Sequence, residues 1–256
     1  MYHKNTLFIG KVLHMFDELQ STNDYALSLL SKSKPIEGTV ISTHHQTAGK
    51  GQIGSSWLVE AGKNLTLSVI LKPHFLPIPR QFLLNQAVSL AVVDFLKQFI
   101  RTDIVRLKWP NDVYIGDKKS TGILIQNTIS GSKLQNTVVG LGININQTNF
   151  PSTLPNPTSL ALATGQSNYD LSELRQILFS CLEARYLQLK AKHWDQLNEA
   201  YHNTLYKLNE AHLFQSADGH SFKGMITGVT EQGLLKIETD TGLQTFSLKE
   251  VTFAKQ

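Results

Sequence analysis

Arg80 to Ile100 reads RQFLLNQAVSLAVVDFLKQFI, and this stretch decides the fold. Leu83, Leu84, Ala87, Val88, Ala91, Val92, Phe95, Leu96 and Phe99 recur at the i, i+3, i+4 spacing of a long helix. An apolar stripe of that length needs a sheet to cover. Strand patterns flank it on both sides. Upstream, Gly38 to Thr43 reads as a strand through Val40 and Ile41, and Asn64 to Leu71 alternates Leu65, Leu67, Val69 and Leu71. Downstream, Val105 to Trp109, Val113 to Ile115, Gly122 to Gln126 and Val138 to Ile145 continue the sheet, with a turn at Gly116-Asp117 joining two of them as a hairpin. Ser21 to Asp24 offers N-cap chemistry to an earlier helix carrying Ala26, Leu27, Leu29 and Leu30.

Strand patterns then stop. Pro151, Pro155 and Pro157 mark a loop, and Leu171 to Lys192 followed by Trp194 to Tyr206 reads as two helices. From Asn209 short strands return, with turn signals at Asp218-Gly219, Gln232-Gly233 and Thr241-Gly242, as in a small β-barrel. The expectation is an α+β main domain, a mixed sheet packed on helices over residues 1–208, and a C-terminal barrel over 209–256.

Of the 256 residues 41% are hydrophobic and 17% charged, an ordinary globular balance. No apolar run approaches the roughly 20 residues of a membrane span, and Met1 to Gly10 lacks the pattern of a secretion signal, so a cytoplasmic location is expected. The net charge of +4 suits anionic partners, but the basic residues are scattered and do not form a nucleic-acid track. Phosphorylated small molecules or an acidic protein fit better. The single cysteine, Cys181, reads as a buried structural thiol. His44 and His45 are adjacent on an expected strand and point apart, so they make no metal site; metal ligands are not identified from the sequence.

Three motifs carry chemistry. The loop His45-Gln46-Thr47-Ala48-Gly49-Lys50-Gly51-Gln52-Ile53-Gly54-Ser55-Ser56-Trp57 lets backbone N–H groups approach an anion closely, Lys50 adds charge, and Trp57 offers a face for a base. It is neither a Walker loop nor a dinucleotide fingerprint, and a surface loop with Trp57 in the core competes with the binding reading. Lys108-Trp109-Pro110-Asn111-Asp112 sits where a strand ends; its lysine either projects into a cleft or is solvated beside a core tryptophan. In Val139 to Asn146, two glycines interrupt an apolar strand, which allows close approach of a ligand, and Asn144 either reads an adenine edge or closes the strand.

Taken in this order, Ser21-Thr22-Asn23, Gln46 with Gly49-Lys50-Gly51 and Trp57, Lys108 to Asp112, Lys119 to Leu124 and Gly140 to Asn144 closely resemble the biotin protein ligase family, over nearly the whole chain. The resemblance implies a catalytic domain similar to class II aminoacyl-tRNA synthetases and an SH3-like barrel. It also implies an enzyme that activates biotin with ATP and Mg2+ as biotinoyl-AMP, then passes biotin to a lysine of a biotin carboxyl carrier protein. Ser21, Thr22 and Asn23 would meet the ureido ring of biotin, with Gln46 and Gly122 beside them. Lys108 would hold the biotin carboxylate and the attacked phosphate, with Lys50 as a second catalytic cation. Gly49 to Gln52 would order over the adenylate, Trp57 would stack on adenine, Asn111 and Asn144 would contact the nucleotide, and Lys249 would reach the phosphates from the barrel. Many members have Gly-Arg-Gly-Arg where this chain has Gly49-Lys50-Gly51-Gln52, so one bidentate fork and one charge are lost.

The nearest rival is a ligase for lipoate or another acyl group. A biotin-responsive repressor is not expected, since Ser21 leaves no room for a preceding helix-turn-helix. Neither nucleic acid nor membrane is an expected partner, and a strand edge near Gly122 to Gln126 offers a surface for a homodimer or for the carrier.

Overall fold

A computed structural model describes residues 5–52 and 54–254; Met1 to Lys4 and Ile53, included in two of the stretches quoted above, lie outside the described residues. The first element is a strand that periodicity did not reveal, β1 (Leu13–Leu19), followed by α1 (Thr22–Lys32), β2 (Val40–Gln46), β3 (Leu65–Leu71) and α2 (Phe82–Leu96). Then come β4 (Val105–Lys108), β5 (Asp112–Ile115), β6 (Lys118–Ser130) and β7 (Lys133–Ile143). Three helices follow, α3 (Leu160–Thr164), α4 (Leu171–Lys190) and α5 (Trp194–Thr204). The strands β8 (Ala211–Ser216), β9 (Ser221–Val229), β10 (Leu235–Thr239), β11 (Gly242–Phe246) and β12 (Val251–Phe253) complete the chain.

The first seven strands form one mixed sheet in the order β1-β2-β3-β7-β6-β5-β4. Only β1 and β2 run parallel, because α1 carries the chain back between them; every other pair is antiparallel. β1 escapes a period-2 reading because it is an edge strand with none of its residues fully buried. β3 shows the opposite effect: all seven residues are buried, so Thr66, Ser68 and Ile70 are as covered as Leu65, Leu67, Val69 and Leu71.

Two layers explain that burial. On one face Val40, Val69, Val139 and Leu141 pack with α2 and the inner sides of α4 and α5 in the main core. On the other face Ile41, Ile70 and Val138 meet Ala26, Leu27 and Leu30 of α1 in a smaller core. α2 lies between sheet and α4, which is why twelve of its fifteen residues are buried. Arg185 of α4 clamps Asp94 of α2 through Nε at 2.6 Å and a second guanidinium nitrogen at 3.1 Å, a bidentate pair with little exposure.

β6 and β7 are longer than the sequence reading and meet at a Ser130–Lys133 turn. β5 pairs with β6 only as far as Gly122, so among the described residues Ile123 to Ser130 has no strand partner on the side away from β7. β8 to β12 form a separate antiparallel sheet in the order β11-β10-β9-β8-β12. It is anchored on the main domain by the Trp109 indole, which donates to the Gly233 carbonyl at 2.8 Å, and by a bridge between Leu208 and Ile226. No helix among the described residues is long and apolar enough to cross a membrane.

Candidate active site

α1 begins where it does because the Ser21 side chain accepts from the Asp24 N–H at 3.3 Å and caps the first turn. That cap points the N-terminal residues of α1 across the sheet. Gln46, at the end of β2, accepts from the Thr22 N–H at 2.9 Å and from its hydroxyl at 3.3 Å. The Ser68 hydroxyl donates to Asn23 Oδ1 at 2.6 Å and lies 2.8 Å from the Thr22 hydroxyl. Asn23 Nδ2 donates to Gln126 Oε1 at 2.8 Å. The amide of Asn23 is therefore committed at both ends, and it shapes a wall of the site.

These groups close one end of a cavity of about 280 Å³, toward the low end of ligand-sized pockets. Three glycines make the space. Gly142 of β7 and Gly122 of β6 are register partners, and the Trp57 indole lies on them: a methyl group on Gly122 would sit 2.9 Å from the ring, and one on Gly142 would overlap Nε1 and Cε2. A methyl on Gly140 would overlap the Asn23 amide. The strand interruptions thus serve close approach of side chains to the sheet. The Trp57 indole N–H is buried without an acceptor, an unmet donor beside the cavity.

The Gly-rich loop folds over the opening as a short hairpin. Lys50 bridges Ser56, the Gly51 N–H donates to the Ser55 carbonyl at 2.9 Å, and the Trp57 N–H donates to the Gly49 carbonyl at 2.9 Å. Lys50 pairs with Asp24 at 2.7 Å, which ties the loop to α1. Lys249 comes from the turn before β12 and stands over Gly54, near where a β-carbon would lie.

Of the residues singled out from the sequence, Ser21, Thr22, Asn23, Gln46, Lys50, Gly51, Gln52, Trp57, Asn111, Gly122 and Lys249 line this cavity. Gly49 lies behind it, against the Gln46 amide and the Trp57 carbonyl. Asn111 reaches it from a turn it fastens, since its amide donates to the Ile123 carbonyl. Asn144 does not line it. Its amide nitrogen donates to the Thr158 carbonyl at 3.0 Å and its backbone takes the Leu160 N–H at 3.0 Å, so it holds the loop before α3.

Lys108 does not line it either. It belongs to β4, the edge strand, two strands farther from the glycine shelf than β6. Its ammonium donates to the Tyr114 hydroxyl at 3.0 Å and lies 5.5 Å from the Phe253 ring of the barrel. Burial pulls the Lys108 ammonium below the ordinary lysine range, against the raising effect of Asp112. Burial also pushes the Tyr114 phenol up to about 12, with Asp112 adding to the shift, so it stays protonated. Besides Lys50 of the loop and Lys249 of the barrel, the cavity is lined by Lys119 of β6, paired with Asp112 at 2.8 Å and 5.7 Å from the Trp57 ring. A signal for it was present: Lys119 precedes Gly122 in the same segment as the glycine shelf.

Among the described residues no three His, Cys, Asp or Glu side chains cluster as a metal cage. Among the described residues Asp112 is the one carboxylate on the cavity wall, and Lys119 already holds it. Such a donor set fits a Mg2+ that arrives on the nucleotide phosphates and takes at most one protein carboxylate.

A polar helix terminus, a half-buried lysine and an indole on a glycine shelf, set on one mixed sheet, define a site for a small molecule joined to an anionic, aromatic group. Residues 15–144 match the Biotin/lipoate A/B protein ligase family, and the chain belongs to it. It is 30% identical over 244 residues to the bifunctional ligase/repressor BirA of Bacillus subtilis, covering 93% of this chain and 73% of that protein. The biotin--[acetyl-CoA-carboxylase] ligase of Mycobacterium tuberculosis is 29% identical over 221 residues, covering 85% of this chain and 80% of its own length. Among solved structures, the biotin protein ligase of Aquifex aeolicus in complex with biotin and ATP superposes with a TM-score of 0.78 at 25% identity, over 96% of this chain and all of that one.

Proposed function

We infer that this chain is a biotin protein ligase: it makes biotinoyl-AMP from biotin and ATP, releasing pyrophosphate, and transfers the biotin to a lysine of a biotin carboxyl carrier protein. The observation that carries the reading is Lys119, a half-buried cation on the cavity wall, paired with Asp112 and 5.7 Å from the Trp57 ring. A carboxylate attacking a phosphate at about 4 Å meets roughly 4 kcal/mol of repulsion at an effective dielectric of 20. Lys119 sits where that repulsion must be offset, and Lys50 and Lys249 add charge at the loop. When bound, Mg2+ would neutralise phosphate charge.

Thr22, Gln46 and the N–H groups of α1 suit the ureido ring, because they offer neutral donors and acceptors to a neutral ring. The Trp57 face and its unmet N–H suit the adenine end. No protein nucleophile is required, since the carrier amine attacks the adenylate directly. The reading assigns residues 209–256 to the barrel and places the enzyme in the cytoplasm, where ATP is available. A homodimer through the unpaired side of β6 belongs to the same reading.

The test is incubation with ATP, magnesium, biotin and a biotin carrier domain, followed by intact-mass measurement. Addition of one biotin per carrier is expected, with Lys119→Ala as the inactive control. Calorimetry with biotin and lipoate separates this activity from that of a lipoate ligase; preferential binding of lipoate would overturn it.

A further inference from the structure

Beside the adenylate cavity lies a second one of about 250 Å³, in the seam between the main domain and the barrel. Leu205, Phe214, Ile226, Leu235, Val251 and Phe253 give it apolar walls, and among the described residues no Asp or Glu lines it. Lys108 lines this space, while Pro110, Leu248 and Lys249 line both cavities, so the two adjoin at these residues. Leu248, Lys249 and Thr252 are exposed and mark its mouth.

We propose that this second cavity is the route by which the acceptor lysine of the carrier protein reaches the adenylate, and that Lys108 keeps the arriving amine neutral. The proposal rests on the ligase reading and deepens it. Transfer needs a neutral amine: its nitrogen attacks the carbonyl carbon of biotinoyl-AMP, the C–N bond forms, the carbon–oxygen bond to phosphate breaks, AMP leaves with that electron pair, and one proton passes from nitrogen to solvent. An apolar passage without carboxylates disfavours the ammonium form of whatever enters. A fixed cation in the passage disfavours it further, because two amines in one desolvated space do not both stay charged.

The proton that remains belongs on Lys108. The Tyr114 hydroxyl at 3.0 Å, the Tyr114 ring at 4.9 Å and the Phe253 ring at 5.5 Å all hold its ammonium. Asp112 favours that charge from β5, although it also pairs with Lys119 of β6. Lys249 brings a second cation from the turn before β12, and Tyr206, after α5, is occupied by the Asp117 carboxylate at 2.8 Å. Burial acts on Lys108 in the opposite sense, and it marks how dry the passage is.

Single-turnover transfer from enzyme-bound biotinoyl-AMP to the carrier domain, followed against pH, tests the proposal. The wild-type rate should rise to a plateau with a midpoint below the ordinary lysine range. Lys108→Met should move that midpoint up by about one unit, a loss of about tenfold at neutral pH, and leave the plateau intact. Lys108→Arg should keep the wild-type midpoint. Thr252→Trp, which narrows the mouth, should slow transfer. Biotin-dependent pyrophosphate exchange should be unchanged in all three variants. Superimposable pH profiles for wild type and Lys108→Met, or wild-type transfer by Thr252→Trp, would overturn the route. Should Lys108→Met fail to fold, the Lys108→Arg and Thr252→Trp results still decide. Absence of pyrophosphate exchange in the wild type would sink the ligase reading itself and this route with it.

Discussion

Gly142 lies directly beneath Trp57: the strand residue has no side chain where the indole nitrogen rests, and any β-carbon there would collide with the ring. On the proposed assignment of the nucleotide to Trp57, this contact joins nucleotide binding to sheet geometry. Gly142→Ala should lift the indole from its shelf, cost about 1–3 kcal/mol of stability, and raise the KM for ATP more than the KM for biotin. Thermal unfolding and steady-state kinetics on the same variant check both parts. An unchanged ATP dependence would remove Trp57 from the nucleotide site.

Lys119→Ala removes the cation that β6 brings to the cavity wall and leaves Asp112 without its partner at 2.8 Å. If the lysine offsets most of the roughly 4 kcal/mol of repulsion between the reactants, adenylation should fall by about 100- to 1000-fold. Lys108→Ala should leave that half-reaction far less affected. Pyrophosphate exchange distinguishes the two.

Gln52 lines the cavity in a loop that already carries Lys50, and restoring a guanidinium there supplies a charge-assisted bond to an anionic adenylate. Gln52→Arg is expected to slow release of biotinoyl-AMP by about tenfold, taking roughly 1.5 kcal/mol for the added bond. Release measured by intrinsic fluorescence or by filter retention of labelled adenylate would show it. An unchanged release rate would mean that the loop holds the ligand through its backbone alone.

Asn144 fastens the loop before α3 and does not line the cavity. Asn144→Ala should therefore lower the melting temperature, through about 1–3 kcal/mol of lost hydrogen bonding, with little effect on the KM for ATP. A selective rise in that KM would return Asn144 to the nucleotide.

Much of this was legible beforehand, and the exceptions share a cause. The α2 stripe, the Ser21 cap and the Gly116-Asp117 hairpin carry local signals, so each was readable from neighbours in the chain. β1 was not, because its partner β2 supplies the order that its own composition lacks. Lys108 and Lys119 are both basic residues near strand ends, and no local pattern says which points at the glycine shelf. That is settled by sheet order, which places β6 inward and β4 at the edge beside the barrel. The barrel itself was visible as strands and turns, but the seam it forms with Lys108 depends on docking through Trp109 and Gly233.

The glycine shelf carries a cost that the ligands recover. Gly122, Gly140 and Gly142 give up side chains in the middle of the sheet, where neighbouring positions bury theirs completely. Trp57 and Asn23 fill the space those side chains vacate and so face the bound ligand, and a ligand that binds only the folded chain raises its stability with concentration. Resistance of the folded chain to heat and proteolysis should therefore rise with ligand concentration.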